Sequence, residues 1–155
     1  MKNGEKSLRF AGRGLLDTER RAIMRLWHQD LISKLPRQQL LGQHRECCAL
    51  RGRGWGRPHS VVNYVFKYNP AHLVAYHVLI IDEMLKRGYN PDKTWYKIQW
   101  RGSAIGIQED WCDKDLCTRL IDNSLEGSKI YPEHNDAYLQ ECLDNLAGKG
   151  IEITL

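Results

Sequence analysis

Between Asn69 and Gly88 apolar residues recur so densely that most sides of a helix carry them. Leu73, Val74, Tyr76, Ile80, Ile81, Met84 and Leu85 predict a central, mostly buried helix. Asn69 is placed as N-cap and Pro70 as first helical residue, and Gly88 stops the pattern after Lys86 and Arg87. A second pattern, residues 36–50, puts Leu40, Leu41, His44, Cys47 and Cys48 on one side at helical spacing. A third, 135–150, turns Leu139, Cys142, Leu143 and Leu146 inward and ends at Gly148. Residues 25–35 carry a shorter stripe of Trp27, Leu31 and Leu35. Strand-like patterning is confined to "SVVNYVF" (60–66) and "IEITL" (151–155). The expected fold is all-α: a small single-domain helical fold with long loops and an extra C-terminal helix.

Composition narrows this further. At 155 residues and 42% hydrophobic, the chain can bury one core. No run approaches the roughly 20 apolar residues of a membrane span. The richest stretch, 73–81, is short and includes His77. Residues 1–23 lack an apolar signal-peptide core, so a cytoplasmic location is expected. Five cysteines, Cys47, Cys48, Cys112, Cys117 and Cys142, are odd in number and lack a paired CxxC framework, which points to reduced thiols. His72 and His77, five apart, share a helix face poorly, so no metal site is expected. Walker, GxSxG and dinucleotide fingerprints do not occur. Nucleotide hydrolysis and serine chemistry drop out, and no cofactor is expected.

Charge changes the picture most. Residues 24–101 hold 13 Lys/Arg against 5 Asp/Glu, a balance of +8. Residues 102–155 hold 4 against 11, a balance of −7, and residues 1–23 contribute +3 to the net +4. A concentrated basic half fits a polyanionic partner, nucleic acid first, although two solvated faces of one fold give the same split.

The candidate chemistry sits on the second helix. If Leu40, Leu41, His44 and Cys48 face the core, Glu46 points elsewhere between the small residues Gly42 and Ala49. Arg45 is adjacent, and "RGRGWGR" follows with Arg51, Arg53, Trp55 and Arg57. Glycine N–H groups, cations and an indole suit phosphate contacts and an aromatic wedge; a basic surface loop is the plainer alternative. In "TWYKIQWRG" (94–102), Trp95, Lys97, Trp100 and Arg101 combine stacking surface with cations, as a base-stacking site or as core packing with snorkelling stems.

The segment "MRLWHQDLISKLPRQQLLGQHRE" (24–46), followed by "IIDEMLKRGYN" (80–90), resembles the phage-type pyrimidine-dimer DNA glycosylase / AP lyase family over roughly residues 24–102. The "RE" of that family's catalytic helix matches Arg45 and Glu46, and its "LKRGFN"-type helix end matches Leu85 to Asn90. The family's further arginine one turn on is Ala49 here. The resemblance implies a DNA repair glycosylase with AP lyase activity on pyrimidine dimers or related lesions in duplex DNA, working as a monomer without cofactor. The nucleophile would be an α-amine at the start of the segment, whose pKa near 7.7–8.0 leaves a useful neutral fraction.

In this chain that position is Met24, with Arg25 beside it as a DNA contact. Glu19-Arg20-Arg21 could be encoded as a purine-rich ribosome-binding sequence, so translation is expected to start at Met24. The expected organisation is therefore a non-native or disordered extension at 1–23, a glycosylase-like helical core at 24–102, and an acidic extension at 103–155 packed on the same domain. A non-catalytic nucleic-acid-binding module and a protein-interaction domain are the alternatives.

Overall fold

The structure, a computed structural model, describes residues 25–57 and 63–155. The expected extension 1–23, Met24 and residues 60–62 of the first expected strand lie outside the described residues. The chain divides into two compact units. One comprises Trp27–Gly56 and Tyr64–Leu155; the other comprises Met1–Leu26 and Arg57–Asn63. In the second unit Leu26 is buried, Arg25 half-buried, and Arg57 and Asn63 exposed.

The first unit is mainly α, as the patterning predicts, with α1 Arg37–Arg51, α2 Pro70–Lys86, α3 Lys114–Ser124 and α4 Asp136–Ala147. Helix α2 is the core: Ala71, Leu73, Val74, Ala75, Tyr76, Ile80 and Ile81 are all fully buried. It packs against α1, α3 and the 3-10 helix Gln29–Lys34. Asn69 caps it by accepting the Ala71 N–H at 2.9 Å, and Pro70 opens it. At its far end Gly88 takes φ +87 while the Tyr89 N–H bonds back to the Met84 carbonyl at 2.9 Å.

The short segments differ from their patterns for local reasons. Residues Gln29–Lys34 form a 3-10 helix, not the expected α-helix. They are confined between the His28 cap and Leu35, which is extended ahead of Pro36. The Trp27, Leu31 and Leu35 stripe is buried as expected. Residues Asn63–Lys67 are also 3-10 rather than strand. The tight turn fans out successive side chains: Tyr64 meets Tyr131, Val65 is buried, and Phe66 meets Trp55. The expected strand 151–155 has no regular structure; the Ile151 N–H instead bonds the Leu146 carbonyl and closes α4.

Helix α3 has no counterpart in the sequence reading, and residues 103–155 fall in the same unit as α1 and α2. Ile130, Tyr131 and His134 are buried there. The Gln29 N–H donates to His134 Nδ1 at 3.0 Å, and Gln29 Oε1 accepts the Ile130 N–H at 2.8 Å. Burial drives His134 down to about 3. It stays neutral, so its Nε2–H donates to the Tyr64 hydroxyl at 2.9 Å.

Candidate active site

Helix α1 turns a different side to the core than the pattern suggested. Leu40, Gln43, Cys47, Leu50 and Arg51 are buried, whereas Leu41, His44 and Cys48 are only half-buried. The rotation brings Glu46 to the edge of the packed face, half-buried, with Arg45 exposed beside it. Gly42 leaves the space above its backbone to the Arg45 guanidinium, whose Nη2 would lie 3.8 Å from an added Cβ. Gln43 Nε2 donates to Glu46 Oε1 at 3.2 Å, while Gln43 Oε1 accepts the Trp27 N–H at 2.6 Å. The carboxylate is thereby tied, through one amide, to backbone three residues past Met24. Sequence reasoning missed Gln43; its signal was a polar residue in the seam Leu40–Gln43–Cys47–Leu50.

Past Glu46 the glycine-rich loop is spent on ending the helix. The Gly52 N–H bonds the Cys48 and Ala49 carbonyls, and the Gly54 N–H bonds Ala49 O at 2.9 Å. A Cβ at Gly54 would come within 2.8 Å of that oxygen, so no larger residue fits. Arg101 completes the cap, donating from Nε to the Arg51 carbonyl at 2.7 Å and from Nη2 to the Gly52 carbonyl at 2.9 Å. Its guanidinium lies over the Trp111 ring at 4.5 Å. Beside this cap a depression of about 430 Å³ opens between Ala49, Gly52, Arg53, Trp95, Gly102 and Ile105. Gly102, at φ +91, forms part of its floor; a Cβ there would meet the Trp95 ring at 3.3 Å.

The family model described as pyrimidine dimer DNA glycosylase matches residues 24–97. Over those residues the chain is similar to that family. The match begins at Met24 and takes in α1 with Glu46 and all of α2; residues 98–155, with α3 and α4, lie beyond it. Among curated proteins and among solved structures, nothing matches the chain.

Within and beside the matched segment, the expected DNA contacts are placed unequally. Arg53, Arg57 and Lys97 are exposed, and Arg25 is half-buried. Lys97 lines a separate depression with Gln99, Glu109 and Lys114, away from Arg53. Arg51 cannot be a phosphate contact as folded. It is fully buried and donates to the carbonyls of Trp95 at 2.8 Å, Lys97 at 2.9 Å and Trp100 at 2.9 Å. Trp55 is half-buried between Phe66 and Trp111, edge-on to both, so it packs the loop rather than standing out as a wedge. Trp95 and Trp100 meet at 6.3 Å, with Trp95 also covering Arg51.

The structure also gathers histidines that sequence spacing did not. His44 and Cys48 on α1 and His77 on α2 bring their ligand atoms within 4.8 Å of one another, a set of zinc-like chemistry. Arg51 decides how they bond. Its Nη1 lies 3.0 Å from His77 Nδ1 and can only donate, so His77 carries its proton on Nε2. That N–H reaches His44 Nδ1 at 2.9 Å, and His44 Nε2 faces Cys48 Sγ at 3.7 Å. In this tautomer His77 has no lone pair on the inner side to give a metal, and the trio is a chain of hydrogen bonds. Burial lowers both histidines and keeps them neutral, reinforced by the Arg51 charge at each and by Arg45 at His44. Burial also pushes the Cys48 thiol up to about 12.

Proposed function

We propose that this protein is a DNA repair glycosylase with AP lyase activity, acting on pyrimidine dimers or related lesions through an amine at Met24. The observation that carries the reading is Glu46, held through Gln43 to the Trp27 backbone inside a pyrimidine dimer DNA glycosylase segment. Three peptide units separate Met24 from Trp27, a reach of at most about 11 Å. The Met24 amine and the Glu46 carboxylate are the two reacting groups of this reading.

The neutral amine attacks C1′ of the damaged nucleotide. The N–C1′ bond forms, the glycosyl bond breaks, and the base leaves with its electron pair and gains a proton. Glu46 stabilises the cationic sugar as the bond breaks. The sugar ring then opens to an imine, a C2′ proton is removed with Glu46 as base, and the 3′ phosphate departs by β-elimination. Arg45, exposed beside the carboxylate, and Arg53 supply phosphate contacts that hold a kinked duplex. A lesion with weakened stacking is the cheapest nucleotide to extrude.

Borohydride reduction tests this directly, because it converts an imine into a permanent cross-link. A chain beginning at Met24 should become covalently attached to duplex carrying an abasic site or a dimer, with the adduct on the Met24 α-amine. The 155-residue chain, whose amine lies 23 residues upstream, should not. Glu46→Gln should bind DNA normally but release base far more slowly. Equal trapping of both chains, or an adduct on Lys34, Lys67 or Lys97, refutes the nucleophile. Specific binding without trapping or base release identifies a non-catalytic DNA-binding module.

A further inference from the structure

Gln43 sits where a leucine or methionine would pack more cheaply. It is 1% exposed in the seam between Leu40, Cys47 and Leu50, and a buried amide is costly unless bonded. Its bonds to Trp27, Tyr76 and Glu46 lead to the candidate site. Oε1 accepts the Trp27 N–H at 2.6 Å and lies 3.0 Å from the Tyr76 hydroxyl, which also reaches the Trp27 carbonyl at 2.6 Å. Nε2 donates to Glu46 Oε1 at 3.2 Å. The orientation follows from chemistry: a backbone N–H only donates, so the amide oxygen must face Trp27 and the nitrogen must face Glu46.

We propose that Gln43 is a positioning residue that sets the Glu46 carboxylate and the Trp27 backbone in one fixed relation. The proposal rests on the amine–carboxylate reading above. A neutral N–H donor fixes one carboxylate oxygen and favours its ionised form, which is the form that stabilises a sugar cation. Among the described residues, the groups beside the pair include Arg45 and Cys47 on α1 and Tyr76 on α2. The Cys47 thiol and Tyr76 phenol are both raised by burial, so neither ionises near neutral pH.

Replacing the amide by a carboxylate isolates this role. Gln43→Glu keeps an oxygen for the Trp27 N–H but sets a second acid against Glu46, and facing carboxylates resist ionising together. In the full 155-residue chain, a carbon-13 titration of the Glu46 carboxyl should move up by about one pH unit or more. Protection of the Trp27 amide from exchange should persist in Gln43→Glu and be lost in Gln43→Met. In whichever chain forms the trapped imine, the acid limb of kcat for strand nicking should shift upward with the carboxyl, leaving KM for the duplex unchanged. A folded Gln43→Glu protein with Glu46 titrating as in the wild type overturns the proposal. A moved titration with an unmoved acid limb also overturns it, leaving Gln43 a packing residue while the glycosylase reading stands. Absence of nicking and trapping in every wild-type chain sinks the glycosylase reading itself, and with it any catalytic part for Gln43.

Discussion

An arginine inside a protein must find acceptors for its N–H groups or lose more than it gains. Arg51 bonds four loop carbonyls and the His77 ring with its two terminal nitrogens, and its guanidinium lies over the Trp95 ring at 5.0 Å. Burial lowers it to about 10, so it remains charged at neutral pH. A lysine carries one point of charge and no planar fork, and it cannot satisfy carbonyls arrayed over residues 95–100. Arg51→Lys should cost about 2–4 kcal/mol in urea unfolding. Exposed Arg53→Lys should stay within about 0.5 kcal/mol. A small loss for Arg51→Lys would show that the loop is held by something else. The same contrast explains what the sequence could show of the site. Glu46 and Arg45 stand out in the sequence as candidates because they resemble a family motif. In "RGRGWGR", nothing distinguishes the arginine at the last turn of α1 from those past it, and only the helix's rotation decides which one points inward.

Elements with two marked ends were readable, and those without were not. Helix α2 has a cap, a proline, a saturated apolar surface and a glycine stop, and the structure starts it at Pro70. Helix α3 lies in an acidic stretch where only Cys117 is buried, so its periodicity is weak; its signal is the Asp113 cap, whose side chain accepts the Leu116 N–H. The two helix starts are joined. Asn69 Oδ1 accepts the Ala71 N–H at 2.9 Å and also the Asp113 N–H at 3.0 Å. One side chain therefore caps α2 and anchors the cap of α3. Asn69→Ala removes both bonds and should cost about 2 kcal/mol, the upper end for a cap. Asp113→Ala removes a single cap bond and should cost about 1 kcal/mol. Equal losses in thermal or urea unfolding would mean that the shared bond contributes nothing.

At the scale of the molecule, the charge split overstates what DNA would meet. Several of the cations in the +8 of residues 24–101 are committed internally. Arg51 holds the 95–100 loop, and Arg101 caps α1. Arg87 pairs with Glu83 at 2.7 Å while donating to the Leu35 carbonyl. Composition registers these side chains as basic surface, and only folding shows that they are fasteners. Exposed cations, among them Arg45, Arg53, Arg57 and Lys97, are the candidates for phosphate contacts. Each phosphate contact releases counterions and adds about 0.9 to the slope of log affinity against log salt. Arg53→Gln with Arg57→Gln should therefore flatten that slope by roughly 1.8 without altering preference for damaged over intact duplex. The readout is binding at several salt concentrations with matched damaged and undamaged duplexes. Urea unfolding of the double variant, measured beside the parent, separates weakened binding from a weakened fold. An unchanged slope would take this loop off the DNA. A collapse of lesion preference with the slope intact would instead make Arg53 or Arg57 a reader of the distorted site.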